Sequence, residues 1–403
     1  MKYKNRTLKD IILKVSKNFK IVLITGMRQV GKTTIFKQIC ENNRKYVTLD
    51  NPKDLLMAKE EPEFFISTYK SPILIDEVQY APELFPYLKM IADSSDKYGQ
   101  IWMTGSQQFS LMKGVSESLA GRVVILNLLG FSIYEREGKG ELQKAFLPSK
   151  KPPSIINKKS LQKTFDIIWQ GSYPEIISKD ADMWANFYAS YVKTYIERDV
   201  RQITNVGNET DFMKFLSVVA ARTGQELNIA DIARNVDIAP NTARAWLSIL
   251  ETSGIVYLLK PYFKNVTKRL IKKPKLYFMD TGLCAYLTSW NSSEALEKGA
   301  MNGAFFETFV ITEIIKSYHH NGKFPSLYYY RDNMQTEIDL LIEQNGKFYP
   351  IEIKKTSNPN KSGVATFDKF ASIDPVEYGT LICLTDNIRP LTDKANAISI
   401  WDI

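Results

Sequence analysis

The chain has 403 residues, 44% apolar and 24% charged, with a formal net charge of +9. This composition fits a soluble protein of about two to four domains. No apolar run nears the roughly 20 residues of a membrane span, and the start MKYKNRTLKD has no signal-peptide apolar region. Three scattered cysteines and two adjacent histidines, His319 and His320, argue against a disulfide framework and a Cys/His zinc site, and for a reducing, cytoplasmic setting.

Residues 7–18 predict a short amphipathic helix with Leu8, Ile11, Ile12 and Val15 on one face. The apolar run Ile21-Val22-Leu23-Ile24-Thr25 then reads as a strand. It enters Gly26-Met27-Arg28-Gln29-Val30-Gly31-Lys32-Thr33, and the chain leaves through Thr34 into a helical pattern. The spacing G-x-x-x-x-G-K-T lets successive backbone N–H groups, those of Arg28, Gln29, Val30 and Gly31 among them, turn inward around a polyphosphate. Lys32 would reach the β- and γ-phosphates of ATP, Thr33 would ligate Mg²⁺, and the helix that starts there points its positive end at the anion.

A second strand at Tyr46–Asp50 and an acidic helical segment follow. Ile73-Leu74-Ile75-Asp76-Glu77 has the composition of a buried parallel strand ending in two carboxylates. Asp76 is placed to hold Mg²⁺ and Glu77 to act as general base toward water. The strand Gln100–Thr104 ends at Gly105-Ser106-Gln107, where Ser106 or Gln107 would sense a γ-phosphate; a plain turn is the alternative. Arg122, before the strand Val123–Leu126, is either a solvated side chain or an arginine finger. As a finger it would serve its own subunit or a neighbouring copy in a homo-oligomer.

The motifs GMRQVGKTT, ILIDEVQ, MTGSQQFSLM and SLAGR, with Gly171-Ser172-Tyr173-Pro174-Glu175 and Tyr195-Ile196-Glu197-Arg198-Asp199-Val200, resemble the AAA-type ATPases of bacteria and archaea that carry a C-terminal domain of unknown function. The resemblance spans nearly the whole chain. It implies ATP and Mg²⁺ as ligands of the N-terminal part and leaves the biological role open.

Residues 138–160 are rich in Lys, Pro, Gly and Ser and read as a linker or mobile loop. A helical region follows, with core aromatics around Trp184–Tyr188. The Glu197-Arg198-Asp199 triplet is either an interface ion-pair network or a nucleotide-sensing element. Two short helices around Ile238-Ala239-Pro240, with Asn228 and Asn241 as expected caps, then Gly254 and the strand Ile255–Leu259, spell a winged helix-turn-helix. Asn241, Thr242 and Arg244 would lead into DNA. The wing, residues 260–275, carries Lys260, Lys264, Lys268, Arg269, Lys272, Lys273 and Lys275 and no acid, which suits DNA phosphates. A winged helix used only for packing is the alternative.

A helix after Asn302-Gly303 carries Glu307 and Glu313. Asn345-Gly346 between two alternating runs predicts a two-residue hairpin that sets Asp339 across from Glu352 and Glu337 across from Lys354. Opposed carboxylates need a neutralising cation. Asp339, Glu352 and Lys354, with Glu307 upstream, match the D…E-x-K constellation of metal-dependent nucleases: Asp339, Glu352 and Glu307 as metal ligands, Lys354 positioning water. A solvated strand face is the alternative.

The expected fold class is therefore α/β. A P-loop parallel sheet with helices on both faces spans 1–137, then a linker and helical region 138–216, a winged helix-turn-helix 217–295 and a restriction-endonuclease-like domain 296–403. The expected function is a Mg²⁺-dependent ATPase acting on DNA, with a C-terminal nuclease. The alternative is a nucleotide-dependent switch that binds a protein or DNA and cuts nothing. A metabolic phosphotransferase fits less well, because no acceptor pocket is legible.

Overall fold

The computed structural model describes residues 3–106, 109–196, 209–265, 267, 269, 272–332, 334 and 336–403; Gln107, the Glu197-Arg198-Asp199 triplet and Lys268 lie outside the described residues. Five parallel strands organise the N-terminal part: β1 Ile21–Thr25, β2 Lys45–Thr48, β3 Ile73–Asp76, β4 Ile101–Thr104 and β5 Val123–Asn127, in the order β2-β3-β4-β1-β5. The central strands are apolar throughout because both faces are covered. Val22 and Ile24 enter one core with Leu8, Ile12 and Phe36, whereas Ile21 and Leu23 enter another with Ile75, Leu88 and Met103. Period-two alternation produces that division. Since β4 lies between β1 and β3, the segments that follow these three strands meet at one edge of the sheet, the place where parallel sheets bind ligands.

The first of those cores does not end with this sheet. It runs on through Phe165, Tyr188, Phe215 and Trp246 to Phe305, Ile351 and Trp401. The rest of the chain is thus packed onto the N-terminal sheet. Residues 138–160 are part of this packing and correct the expectation of a mobile loop. They hold little regular structure beyond a turn at Gly140–Leu142, but Phe146 and Ile156 are buried. The Phe146 N–H donates to Ser317 Oγ (3.0 Å), and Asn396 Nδ2 donates to the Ser149 carbonyl (3.0 Å). Two apolar anchors within a polar stretch make it a fixed strap.

Helices Leu161–Gln170 and Trp184–Tyr191 follow, with Trp184, Phe187 and Tyr188 in the core and Trp169 stacked on Trp184 at 4.4 Å. Next come three helices, Glu209–Ala220, Ile229–Val236 and Pro240–Thr252. Beside them lies a small antiparallel sheet of β6 Gln225–Glu226, β7 Val256–Leu259 and β8 Lys275–Phe278, ordered β6-β8-β7. Asn228 caps its helix by accepting the Asp231 N–H (3.3 Å). Asn241 does not cap. Ala239 takes that position and Pro240 the first helical one, where a missing N–H costs nothing, so Asn241 accepts from Arg244 instead (2.8 Å).

The basic segment between β7 and β8 is less free than its composition suggests. The Tyr262 N–H donates to the Tyr329 carbonyl (2.6 Å) and the Tyr329 N–H to the Lys260 carbonyl (3.0 Å), stitching it to the C-terminal sheet. The Arg269 guanidinium lies over the rings of Tyr262 (4.4 Å) and Tyr328 (5.0 Å), and Lys275 is buried against Glu307 and Glu337. Lys260, Lys264, Lys272 and Lys273 remain exposed. Arg269 and Lys275 are thus bound to protein partners, contrary to the expected phosphate contacts.

The C-terminal sheet has six strands: β9 Ser326–Arg331, β10 Glu337–Gln344, β11 Lys347–Ile353, β12 Gly379–Cys383, β13 Arg389–Thr392 and β14 Ala395–Ser399, ordered β13-β14-β12-β11-β10-β9. β11, β12 and β14 run parallel to one another, and the remaining pairs are antiparallel. The helix Asn302–His319 belongs to the large core and the helix Ala365–Ala371 to a smaller one around Leu341, Phe348 and Leu381. Asn345 (φ 54°) and Gly346 (φ 73°) form the two-residue turn, and the ladder from Gln344↔Lys347 to Leu340↔Ile351 has the expected register. Against β9, β10 shifts register between Ile338 and Leu341, and this bulge contains Asp339. Ile338 consequently shares a core with Leu341 rather than with Leu340.

Candidate active site

The loop after β1 bends through three residues at positive φ: Gly26 (147°), Gln29 (62°) and Gly31 (94°). At Gly26 a Cβ would stand 2.1 Å from the Leu128 carbonyl oxygen, so only glycine fits. The helix Lys32–Ile39 starts directly after Gly31. Lys32 is buried, and its ammonium donates to the carbonyls of Gly26 (3.0 Å) and Met27 (2.8 Å), which holds the charge over the loop's concave side. Arg28 is half-buried. Val30 is buried, and its carbonyl accepts from Arg6 Nη1 (2.7 Å).

Across the sheet edge, Asp76 is 5% exposed and has three hydroxyl donors. Thr33 Oγ1 donates to its Oδ1 (2.7 Å), Thr104 Oγ1 to the same oxygen, and the Tyr46 hydroxyl to Oδ2 (3.0 Å). Burial and the Asp76 charge push the Tyr46 phenol up to about 12, so it stays a neutral donor. Glu77 has positive φ (57°), its N–H donates to Thr104 Oγ1 (3.1 Å), and its carboxylate accepts from Gln79 Nε2. A left-handed glutamate at a strand end is uncommon, and such strain clusters at functional sites. Ser106 is buried beside this group, and its Oγ has no hydrogen-bond partner among the described residues. Sequence reasoning missed Thr104, Tyr46 and Gln79; only the polar residues Thr104 and Gln79 beside predicted site positions offered a signal.

Arg122 lies elsewhere. Its carbonyl pairs with the Ile21 N–H at the start of β1, the edge opposite the loop, and its guanidinium grips Asp93 through Nε (2.6 Å) and Nη2 (3.0 Å). A role as arginine finger in its own subunit is therefore excluded by position: Arg122 precedes β5, which runs parallel to β1, so it lies a full strand length from the phosphate loop. Beside the loop instead lies a cavity of about 330 Å³, lined among others by Tyr3, Thr34, Ile35, Gln38, Phe131 and Pro174. Pro174 belongs to the Gly171–Glu175 motif, whose Tyr173 is buried and reaches Met27 of the loop through its hydroxyl (3.5 Å to Sδ).

The second polar site sits where β8 meets the C-terminal sheet. Asp339 accepts the Ile353 N–H (2.8 Å), Glu352 accepts from Thr366 Oγ1 (3.0 Å), and Lys354 Nζ stands 4.0 Å from Glu352. Burial, then Glu307 and Glu352, push the Asp339 carboxyl well above the usual range, and burial pushes Glu352 up to about 7. Such a pair retains a proton near neutrality. Glu307, expected as the third metal ligand, accepts instead from the Tyr277 hydroxyl (2.6 Å) and pairs with Lys275 (3.5 Å). Lys275 also pairs with Glu337, which the hairpin register had set opposite Lys354. Among the described residues no three His, Cys, Asp or Glu side chains come close enough to hold a metal ion together. The three-carboxylate metal site thus contracts to the Asp339–Glu352 pair, because a buried lysine claims the rest.

Residues 18–137 match the family model described as an AAA domain, 161–294 a domain of unknown function (DUF8612) and 302–403 another (DUF4143). An uncharacterized protein of Mycobacterium tuberculosis and one of Mycobacterium bovis are each 31% identical to this chain over 343 residues, covering 85% of it and 72% of the relative. Among solved structures, the Thermotoga maritima RuvB Holliday junction branch migration motor is 13% identical, with a TM-score of 0.32, over 63% of this chain and 90% of that one. AMPPCP-bound DnaA from Aquifex aeolicus is 13% identical, with a TM-score of 0.29, over 60% and 85%. A likeness that loose carries no argument about what this chain acts on. No helix among the described residues is long and apolar enough to cross a membrane.

Proposed function

The chain is an AAA-domain protein and belongs to one family with the two uncharacterized mycobacterial proteins; from this premise we propose that it binds ATP with Mg²⁺ and hydrolyses it. The observation that carries the reading is the Thr33–Asp76–Thr104–Glu77 array, which joins the start of the helix after the phosphate loop to the ends of β3 and β4 by hydrogen bonds. Gly26, Arg28, Gln29, Val30 and Gly31 present backbone to the phosphates, and Lys32 exchanges its loop carbonyls for phosphate oxygens. Thr33 and Asp76 are an oxygen pair suited to Mg²⁺, which supplies charge neutralisation on the phosphates. Glu77 accepts a proton from water, and the Ser106 hydroxyl serves the γ-phosphate. Thr34 and the adjoining cavity take the base, and Pro174 ties the middle helices to it.

Tyr46 tests this site gently. Its hydroxyl holds Asp76 without touching phosphate, so Tyr46→Phe should lower the hydrolysis rate about two- to fivefold and leave ATP affinity nearly unchanged, a change near 1 kcal/mol for one lost hydrogen bond. Steady-state kinetics beside a binding titration decide it: a variant indistinguishable from the parent in both would remove Tyr46 from the site.

A second reading concerns the C-terminal half, and the Asp339–Glu352 pair favours it. In this reading residues 217–295 act as a winged helix on DNA, with Asn241, Thr242 and Arg244 at its leading edge and Lys260, Lys264, Lys272 and Lys273 on phosphates. Asp339 and Glu352 bind a divalent cation and Lys354 positions water. The test is cleavage of single-stranded, duplex and branched DNA with Mg²⁺ or Mn²⁺, with and without ATP. Nuclease activity is expected to disappear in Lys354→Ala and Glu352→Gln. Silence on every substrate, in a preparation that hydrolyses ATP, would instead leave a nucleotide-dependent switch.

A further inference from the structure

One buried chain of contacts joins the phosphate loop to the C-terminal domain, and it begins at Arg6. The Arg6 guanidinium donates through Nη1 to the Val30 carbonyl and through Nη2 to the Leu129 carbonyl, both at 2.7 Å, and its Nε lies 3.0 Å from Glu135 Oε1. The planar fork thereby fixes the Val30–Gly31 peptide from behind, leaving the Gly31 N–H to face away from Arg6. Glu135 is fully buried and also accepts the N–H groups of Thr7 (2.9 Å) and Ser132 (3.1 Å). Its other side meets His320, whose Nδ1 stands 3.3 Å from Oε2. His320 comes from the end of the long helix Asn302–His319, more than 180 residues away in sequence. Its Nε2 accepts the Leu129 N–H (3.2 Å), so residue 129 is held at its N–H by the C-terminal domain and at its carbonyl by Arg6. Burial keeps the imidazole neutral, which that acceptor role requires.

We propose that Arg6 is a positioning residue for the phosphate loop and that His320 sets how firmly Arg6 holds it, so that docking of the C-terminal domain tunes affinity for ATP. The inference rests on the nucleotide reading of that loop and assigns the residues through which the C-terminal half acts on it. Linkage makes the effect reciprocal: nucleotide on the loop strengthens the His320 contact as much as the contact strengthens nucleotide binding.

The test titrates a fluorescent ATP analogue into the 403-residue chain and four variants, Arg6→Lys, His320→Ala, His320→Gln and Lys32→Ala, with thermal melts beside each. Arg6→Lys should weaken binding at least tenfold, because a single ammonium cannot reproduce the forked geometry. His320→Ala should weaken it about three- to tenfold although His320 contacts no loop residue, and His320→Gln, whose amide oxygen can accept the Leu129 N–H, should recover most of the loss. A purely structural histidine would give lowered melting in both His320 variants with affinity unchanged, and this would overturn the proposal. If His320→Ala does not fold, Glu135→Gln reads the same link, with a loss of similar size expected and parental affinity again overturning it. Silence from the parent chain would sink the nucleotide reading and this inference together. Binding that Lys32→Ala abolishes, but that Arg6→Lys and His320→Ala leave unchanged, would sink this inference alone.

Discussion

Glu77→Gln is expected to bind ATP with near-parental affinity and to hydrolyse it at least about 100-fold more slowly. A positioned general base contributes roughly 10²- to 10⁴-fold, and the amide keeps the size of the carboxylate but cannot take the proton. The local structure supports a clean comparison. The residue's backbone is held by the Thr104 hydroxyl, and its side chain meets Gln79, which can pair with an amide as well as with a carboxylate. Lys32→Ala should behave in the opposite way, losing binding itself, because its buried ammonium, held by the carbonyls of Gly26 and Met27, is the charge proposed to meet the phosphates. A Glu77→Gln protein that hydrolyses ATP at the parental rate would remove Glu77 as the base and leave the strained conformation at that position without its proposed role.

These residues were legible in sequence because phosphate binding dictates a contiguous pattern. Strand, glycine-rich loop and helix must follow one another, and the strand carrying Asp76 and Glu77 must be apolar on both faces. The Asn345-Gly346 turn was legible for a similar reason: its two positive φ angles admit few residue types, and the register follows from the turn. Arg6, His320 and Lys275 were not, since each acts through partners 24 or more residues away, and a single basic residue has no distinguishing local pattern. Arg122 shows the converse limit. Its neighbours in the chain looked right, but whether a residue sits at the ligand edge of a sheet or at the opposite one depends on strand direction and order, which its own short motif does not contain. The bulge at Asp339 likewise breaks the period-two rule on which the shared face of Glu337, Asp339, Glu352 and Lys354 was argued.

The dependence of stability on pH should be a near-cancellation of two buried sites, and single substitutions should expose each. Burial lowers His320 from its ordinary 6.5 to about 3, and His319 to about 4. Between pH 6.5 and those values the unfolded chain takes up protons that the folded chain refuses, so the histidines make stability fall as pH falls. Glu352, raised from its ordinary 4.5 to about 7, and Asp339, raised well above its ordinary 3.8, have the opposite sign. Between about pH 5 and 7 the folded chain holds protons on them that the unfolded chain has lost, so this pair makes stability rise as pH falls. Each group is worth on the order of 2–3 kcal/mol across two pH units, at about 1.4 kcal/mol per unit for one proton. In metal-free buffer between pH 7 and 5 the parent chain should therefore show a shallow profile in urea melts. Glu352→Gln, which fixes the neutral form, should be more stable than the parent at pH 7 and lose stability steeply on acidification. His320→Gln should do the reverse and gain stability as pH drops. If both variants reproduce the parental slope, the two sites are not buried as tightly as their surroundings imply. If only Glu352→Gln departs from it, the Asp339–Glu352 pair holds its shared proton while His320 titrates freely, and the link from the C-terminal domain to Arg6 would then open near neutral pH.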